Sequence, residues 1–200
     1  SQDERELGVG MIDIGGGTAD LAIYRDGRIR HSKVIAVAGN HFTNDTSIGL
    51  GIPLEKAEEL KRLFGSVTNQ YWNGYEEKTV DVELGYDGGK KSVNLNTLSE
   101  ILHLRAAELF ELFADEINEY KLNAFMPSGI VLTGGGSLLE GISKVASKKL
   151  EMPVRVGYPI TNKKDVHHHI LPDSLKSPIY STAYGLLLYN INEKKDEFYT

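Results

Sequence analysis

The spacing of apolar and polar residues changes several times along this chain, and each change marks an element. Leu7 to Ile14 is apolar and dotted with glycine, short enough for a buried strand. Gly15-Gly16-Gly17-Thr18 follows as a turn, Leu21 to Tyr24 reads as a second strand, and Asp26-Gly27 is a hairpin signal. Ile29 to Val37 completes an antiparallel meander. A helical stretch begins at Gly39-Asn40. After Pro53, suited to a first helical turn, Leu54, Ala57, Leu60, Lys61 and Phe64 recur at helical spacing. Residues 65–78 are irregular and include Trp72. Thr79 to Leu84 alternates with period two and can pair with Lys90 to Leu95 across Asp87-Gly88-Gly89. Thr97-Leu-Ser-Glu100 has the form of a capping box, and the long helix it would open carries Leu98, Ile101, Leu102, Leu109, Leu112, Phe113, Ile117 and Tyr120 as its apolar stripe.

The last third has a different grammar. Gly129 to Thr133 is a buried-strand candidate, Gly134-Gly135-Gly136-Ser137 a turn, and Leu138 to Leu150 a helix. A short strand, Val154 to Val156, follows Pro153. A polar loop with His167-His168-His169 leads to a final helix starting near Pro178. Strand, glycine turn and helix in that order indicate an α/β fold. We divide the chain into an outer sheet subdomain, residues 1–40 and 125–200, interrupted by an inner subdomain, residues 41–124.

Composition narrows the function without naming it. The chain is 40% apolar and 25% charged, contains no cysteine and carries a formal charge of −6. With no thiol there is no disulfide or zinc–thiolate site. Lysine and arginine are scattered in an acidic chain, which argues against nucleic acid as a partner. No apolar run approaches the roughly 20 residues that span a bilayer. The start is charged and lacks methionine, so we expect a piece of a longer protein.

The candidate chemistry lies in the two glycine turns. Glycines let backbone N–H groups converge on an oxyanion with no β-carbon in the way. Asp13, at the strand end before the first turn, is placed to hold Mg²⁺ through water. Thr18 closes that turn with a hydroxyl. The second turn, ending at Ser137, is expected to run into a helix whose positive end favours anions. A glycine triplet after a strand is, taken singly, more often only a tight turn, and neither turn has the Walker or GxGxxG spacing. Glu58 and Lys61, at i,i+3, share one helix face, as a solvated ion pair also would. The three consecutive histidines read as loop rather than metal ligands, and Trp72 as core or interface.

Asp13-Ile-Gly-Gly-Gly-Thr18 resembles the second phosphate motif of the actin, sugar kinase and heat-shock chaperone superfamily, and Ile130-Val-Leu-Thr-Gly-Gly-Gly-Ser137 resembles its adenosine motif. Within it, Arg5–Gly8, His31–Ile35, Ala38–Asn40, Ala57–Lys61, Leu132–Ile142 and Tyr180–Leu187 together resemble the FtsA family of actin-like cell-division proteins over nearly the whole chain. The resemblance implies an actin-like ATPase (ribonuclease H-like) lobe, a mixed sheet flanked by helices, with an inserted α+β subdomain. It implies ATP with Mg²⁺. Asp13 would hold the metal or its water, Gly15, Gly16, Gly17 and Thr18 the β- and γ-phosphates, Gly134, Gly135, Gly136 and Ser137 the adenosine, and Glu58 and Lys61 the ribose and purine. It implies the C-terminal tail of FtsZ as a partner near Arg105, where an arginine in the stripe would either pair with a carboxylate or run along its own helix. It further implies self-association in filaments, contacts with other division proteins, and the cytoplasmic face of the inner membrane at the division site, reached through a C-terminal anchor this chain does not carry. The family's first phosphate motif is also not in this sequence, so we expect at most weak ATPase activity from the parent and little from this piece. The competing readings are a scaffold similar to PilM of pilus assembly, or part of a superfamily kinase or phosphatase.

Overall fold

The computed structural model describes residues 1–68, 78–85, 89–159, 172 and 175–197. Trp72, most of the Asp87-Gly88-Gly89 turn and His167–His169 lie outside the described residues.

Strands β1 (Val9–Ile14), β2 (Ala19–Arg25) and β3 (Arg28–Ile35) form the expected meander. Two later strands, β6 (Ile130–Thr133) and β7 (Val154–Val156), add in parallel on the other side of β1, giving the order β3-β2-β1-β6-β7. The sheet is therefore mixed. Ile12, Ile14, Leu21, Ile23, Ile130 and Leu132 are buried. They alternate along their strands, as the period-two projection of side chains requires.

Helix α2 (Gly39–Leu50) ends on Gly51 in the left-handed conformation, and α3 (Leu54–Phe64) follows after Pro53, which stands just outside the helix as its N-cap. Strands β4 (Thr79–Glu83) and β5 (Lys90–Asn94) pair antiparallel as a separate two-stranded sheet. Helix α4 (Leu95–Glu119) packs against α2 and against α5 (Ile142–Leu150). The buried side chains of sheet, α2, α3, α4 and α5 form one continuous cluster, with Phe110 and Phe113 fully buried inside it. The last helix, α6 (Ser181–Glu197), starts after a short 3-10 turn at Pro178–Tyr180.

Four sequence expectations need correction. A helix, α1 (Gln2–Leu7), precedes β1 where a polar lead-in and an early strand start were expected; Ser1 and Glu4 cap it reciprocally, and it buries no side chain. Helix α4 begins at Leu95, not at Thr97, because Asn94 accepts the Asn96 N–H at 2.8 Å and supplies the cap first. Its buried stripe includes Ala106 and Phe110, whereas Leu112 and Tyr120 face outward. The segment after the second glycine turn is a 3-10 turn, Gly135–Leu138, and α5 starts only at Ile142 behind a left-handed Gly141.

Candidate functional site

Strands β1 and β6 run side by side in parallel, with Asp13 opposite Thr133. Both glycine turns therefore leave neighbouring strands at the same, carboxyl-terminal edge of the sheet. That edge is where ligands bind in open α/β sheets, because the turns there present backbone N–H groups and leave a crevice. Two sequence motifs far apart in the chain are thus brought into contact.

The first turn closes on itself through Gly15 N–H donating to the Thr18 carbonyl at 2.9 Å. Gly16, Gly17 and Thr18 remain exposed, and the Thr18 hydroxyl donates to Asp20 Oδ2 at 3.1 Å. Asp20 is the register partner of Asp13 across β1 and β2, so two carboxylates stand on the same side of the sheet at its open edge. The start of α2 is tied to this turn. Gly39 and Asn40 donate their N–H groups to the carbonyls of Gly15 and Gly16 at 3.0 and 2.8 Å. Donors that a helix start would leave unpaired thereby fix the turn's position.

The second turn lies directly against the first. A β-carbon at Gly134 would come within 2.2 Å of Asp13 Oδ1 and 2.6 Å of the Ile14 carbonyl, and Gly134 has φ +80°. Gly136 sits equally close to the Ile14 side chain. Of the three glycines, Gly135 is the exposed one. The Ser137 hydroxyl is buried and donates to the Gly134 carbonyl at 2.7 Å, so it shapes the turn instead of pointing outward. Because α5 begins beyond Gly141, the helix end expected immediately behind this turn is not there; the 3-10 turn replaces it.

Glu58 and Lys61 do share a face of α3, 2.7 Å apart, and they meet Thr43 of α2. The Lys61 ammonium also donates to the Gly39 carbonyl at 3.0 Å. Since Gly39 in turn donates to Gly15, a short series of hydrogen bonds links this pair to the first glycine turn. Burial pushes the Glu58 carboxyl up, yet the Lys61 and Thr43 hydrogen bonds and the charges of Lys61 and Arg62 together outweigh it, leaving the group below its ordinary range. Lys61 is 14% exposed and Glu58 44%, so the ammonium is largely withdrawn from solvent while its carboxylate partner stays at the surface.

Arg105 does not interrupt the stripe as a free cation. Its Nε lies 2.5 Å from Asp45 Oδ2 of α2, and its Nη1 donates to Glu108. Two surface clefts, of about 260 and 600 Å³, lie elsewhere, one between α3 and β4 and one between α4 and α5. Among the described residues no group of three acidic, histidine or cysteine side chains is placed to hold a metal, and no helix is long and apolar enough to cross a membrane.

Sequence reasoning passed over Asn40, Thr43 and Thr182. Asn40 lay inside a segment already singled out, Ala38–Asn40, and Thr182 inside Tyr180–Leu187, while Thr43 follows the first of these. Their partners, however, are distant in the chain.

The family model for cell division protein FtsA matches residues 10–185. The chain belongs to the FtsA family. It is 38% identical over 196 residues to the FtsA of Pseudomonas aeruginosa, covering 98% of this chain and 45% of that protein. The chain thus spans somewhat less than half the length of this FtsA relative. Its fold is that of the actin-like ATPases. The structure of MreB5 of Spiroplasma citri bound to ADP superposes with a TM-score of 0.71 at 22% identity, over 97% of this chain and 56% of that one. PilM, in the PilM–PilN type IV pilus biogenesis complex, superposes at 0.67 with 18% identity over 94% and 47%. At that identity the likeness to PilM is one of fold, and membership of the FtsA family decides against a PilM-like or kinase reading.

Proposed function

We propose that this chain is the nucleotide-binding lobe of an FtsA-type division scaffold, and that ATP binds along the edge where the two glycine turns meet. The contact of Gly134 with Asp13 carries the reading: it unites both glycine turns and the carboxylate in one place. The solved structures of MreB5 bound to ADP and of MamK bound to AMPPNP, which share the fold, support it. In this reading Gly15, Gly16, Gly17 and Thr18 receive phosphate oxygens, Gly134, Gly135 and Gly136 face the adenosine with Ser137 bracing their turn, and Glu58 and Lys61 lie toward the ribose and base. Asp13 suits Mg²⁺, since a single half-exposed carboxylate beside a phosphate loop matches an ion that keeps most of its waters; the ion would offset phosphate charge.

The remaining parts of the proposal rest on the family. Residues 1–40 and 125–200 act as the nucleotide-bearing subdomain and 41–124 as the insert that meets the FtsZ tail. Copies assemble into filaments and contact other division proteins, and the whole protein works at the cytoplasmic face of the inner membrane at the division site. Hydrolysis by this lobe on its own is slow, because phosphoryl transfer depends on positioning from both sides of the phosphate and the lobe supplies one.

Equilibrium titration of the full-length protein with a fluorescent ATP analogue tests the central claim. Asp13→Asn and Gly17→Asp should each weaken binding by tenfold or more. Wild-type affinity in both variants would remove the glycine edge as the site.

A further inference from the structure

The segment Tyr180–Leu187 resembles its family yet has no role in the reading above. Its second α6 residue, Thr182, donates its hydroxyl to Asp13 Oδ2 at 2.5 Å, across 169 positions of sequence. We propose that Thr182 is a positioning residue that sets the orientation of the Asp13 carboxylate at the nucleotide edge; this rests on the proposed nucleotide site and adds a residue to it.

The surrounding bonds explain why this hydroxyl is available. A threonine inside a helix usually turns its hydroxyl back onto the carbonyl three or four residues earlier. For Thr182 the carbonyl four residues back is that of Pro178, and it already accepts the Gly134 N–H at 3.3 Å and the Thr133 hydroxyl at 3.4 Å. Those same bonds fasten the start of α6 to the second glycine turn, with Pro178 buried and the Ile179 side chain beside Gly135. The Thr182 hydroxyl is thus carried to Asp13 by a segment that is itself docked on the site.

The chemistry of the donor matters. A hydrogen bond to a carboxylate is stronger than one between neutral groups and restricts the carboxylate's rotation. Lysine or arginine would do the same while cancelling the charge. A hydroxyl orients the group and leaves its negative charge for a hydrated cation. Asp13 is bounded on two sides: Thr182 engages Oδ2, and Oδ1 fills the space that a β-carbon on Gly134 would need.

Five variants in the full-length protein separate the possibilities: Thr182→Val, Thr182→Ala, Thr182→Ser, Asp13→Asn and the double variant Asp13→Asn with Thr182→Val. Affinity for a fluorescent ATP analogue is measured with Mg²⁺ and again with EDTA, alongside thermal melting. Thr182→Val and Thr182→Ala should each weaken Mg²⁺-dependent binding about tenfold, as loss of a partner behind a metal-holding group does. Thr182→Ser should restore it to within about twofold, and EDTA values should not change. Asp13→Asn combined with Thr182→Val should be no worse than Asp13→Asn. If Asp13→Asn weakens binding and neither Thr182→Val nor Thr182→Ala does, the positioning role is wrong. Equal losses with and without Mg²⁺ would reveal a purely structural residue and also overturn it. Absence of nucleotide binding by the wild type, or full binding by Asp13→Asn, would instead defeat the nucleotide site itself.

Discussion

Gly134 lies so close to Asp13 that a β-carbon on it would stand 2.2 Å from the carboxylate oxygen. This contact joins the two glycine motifs, and it separates glycines required by packing from glycines kept open.

Gly134→Ala should therefore be destabilising. The added carbon collides with Asp13 and Ile14, and φ +80° is itself unfavourable for alanine. We expect a loss of about 2–4 kcal/mol in urea unfolding. A β-carbon on Gly17 would meet nothing within 4 Å, so Gly17→Ala should change stability by less than about 0.5 kcal/mol while reducing ATP affinity. A stable Gly134→Ala protein would contradict the packed arrangement.

Glu116, buried on α4, is the acceptor for two β3 side chains: Lys33 Nζ at 2.7 Å and His31 Nε2 at 2.8 Å. The Lys33 hydrogen bond, first, and that of His31 outweigh burial and hold the Glu116 carboxyl below its usual range. A carboxyl with a lowered folded-state pKa stabilises fully above the unfolded value of about 4.3, and that share disappears as pH falls through the folded value. Glu116→Gln should cost about 1–3 kcal/mol at pH 7. Melting curves of the two proteins should stay apart at the unfolded value of about 4.3 and converge only as pH falls through the lowered folded-state value. A gap that persists unchanged in acid would show that charge is not what Glu116 contributes.

Lys61 connects α3 to the first turn through Gly39. Lys61→Met keeps much of the stem but removes its bonds to Gly39, Thr43 and Glu58. It should lower stability by about 1–2 kcal/mol. Thr43→Val, which spares the Lys61–Glu58 pair, should cost less. If Lys61→Met binds ATP as tightly as wild type in a fluorescence titration, its proposed place beside the nucleotide is wrong.

Arg105 is engaged by Asp45 and Glu108; the Asp45 hydrogen bond first, then the charges of Asp45 and Glu108, outweigh burial and raise its pKa further. Arg105→Glu would set a third carboxylate beside these two and lose about 1 kcal/mol or more. Arg105→Met isolates the question of binding. An FtsZ tail peptide should lose most of its affinity for both variants by fluorescence polarisation. Retained affinity in Arg105→Met would take Arg105 out of the peptide site.

Much was legible from the chain alone because it depends on neighbours in sequence. The meander follows from short apolar runs divided by the glycine turn and by Asp26-Gly27, the turn after Asp13 from three successive glycines, and the Glu58–Lys61 face from i,i+3 spacing. The corrections arise where local signals compete. Asn94 caps α4 before Thr97 can, and Ser1 with Glu4 starts a helix from residues that look merely charged. Leu112 and Tyr120 fit the apolar pattern of α4 yet face outward, since burial depends on what packs opposite.

The sequence by itself determined most of the elements, the two glycine turns and the family, all encoded in short-range propensity and motif. Only the tertiary structure decided that β6 lies beside β1, that Gly134 presses on Asp13, and that Thr182 returns to the same carboxylate. Such contacts depend on strand order and on closing long stretches of chain, and no local spacing records which distant residues will meet.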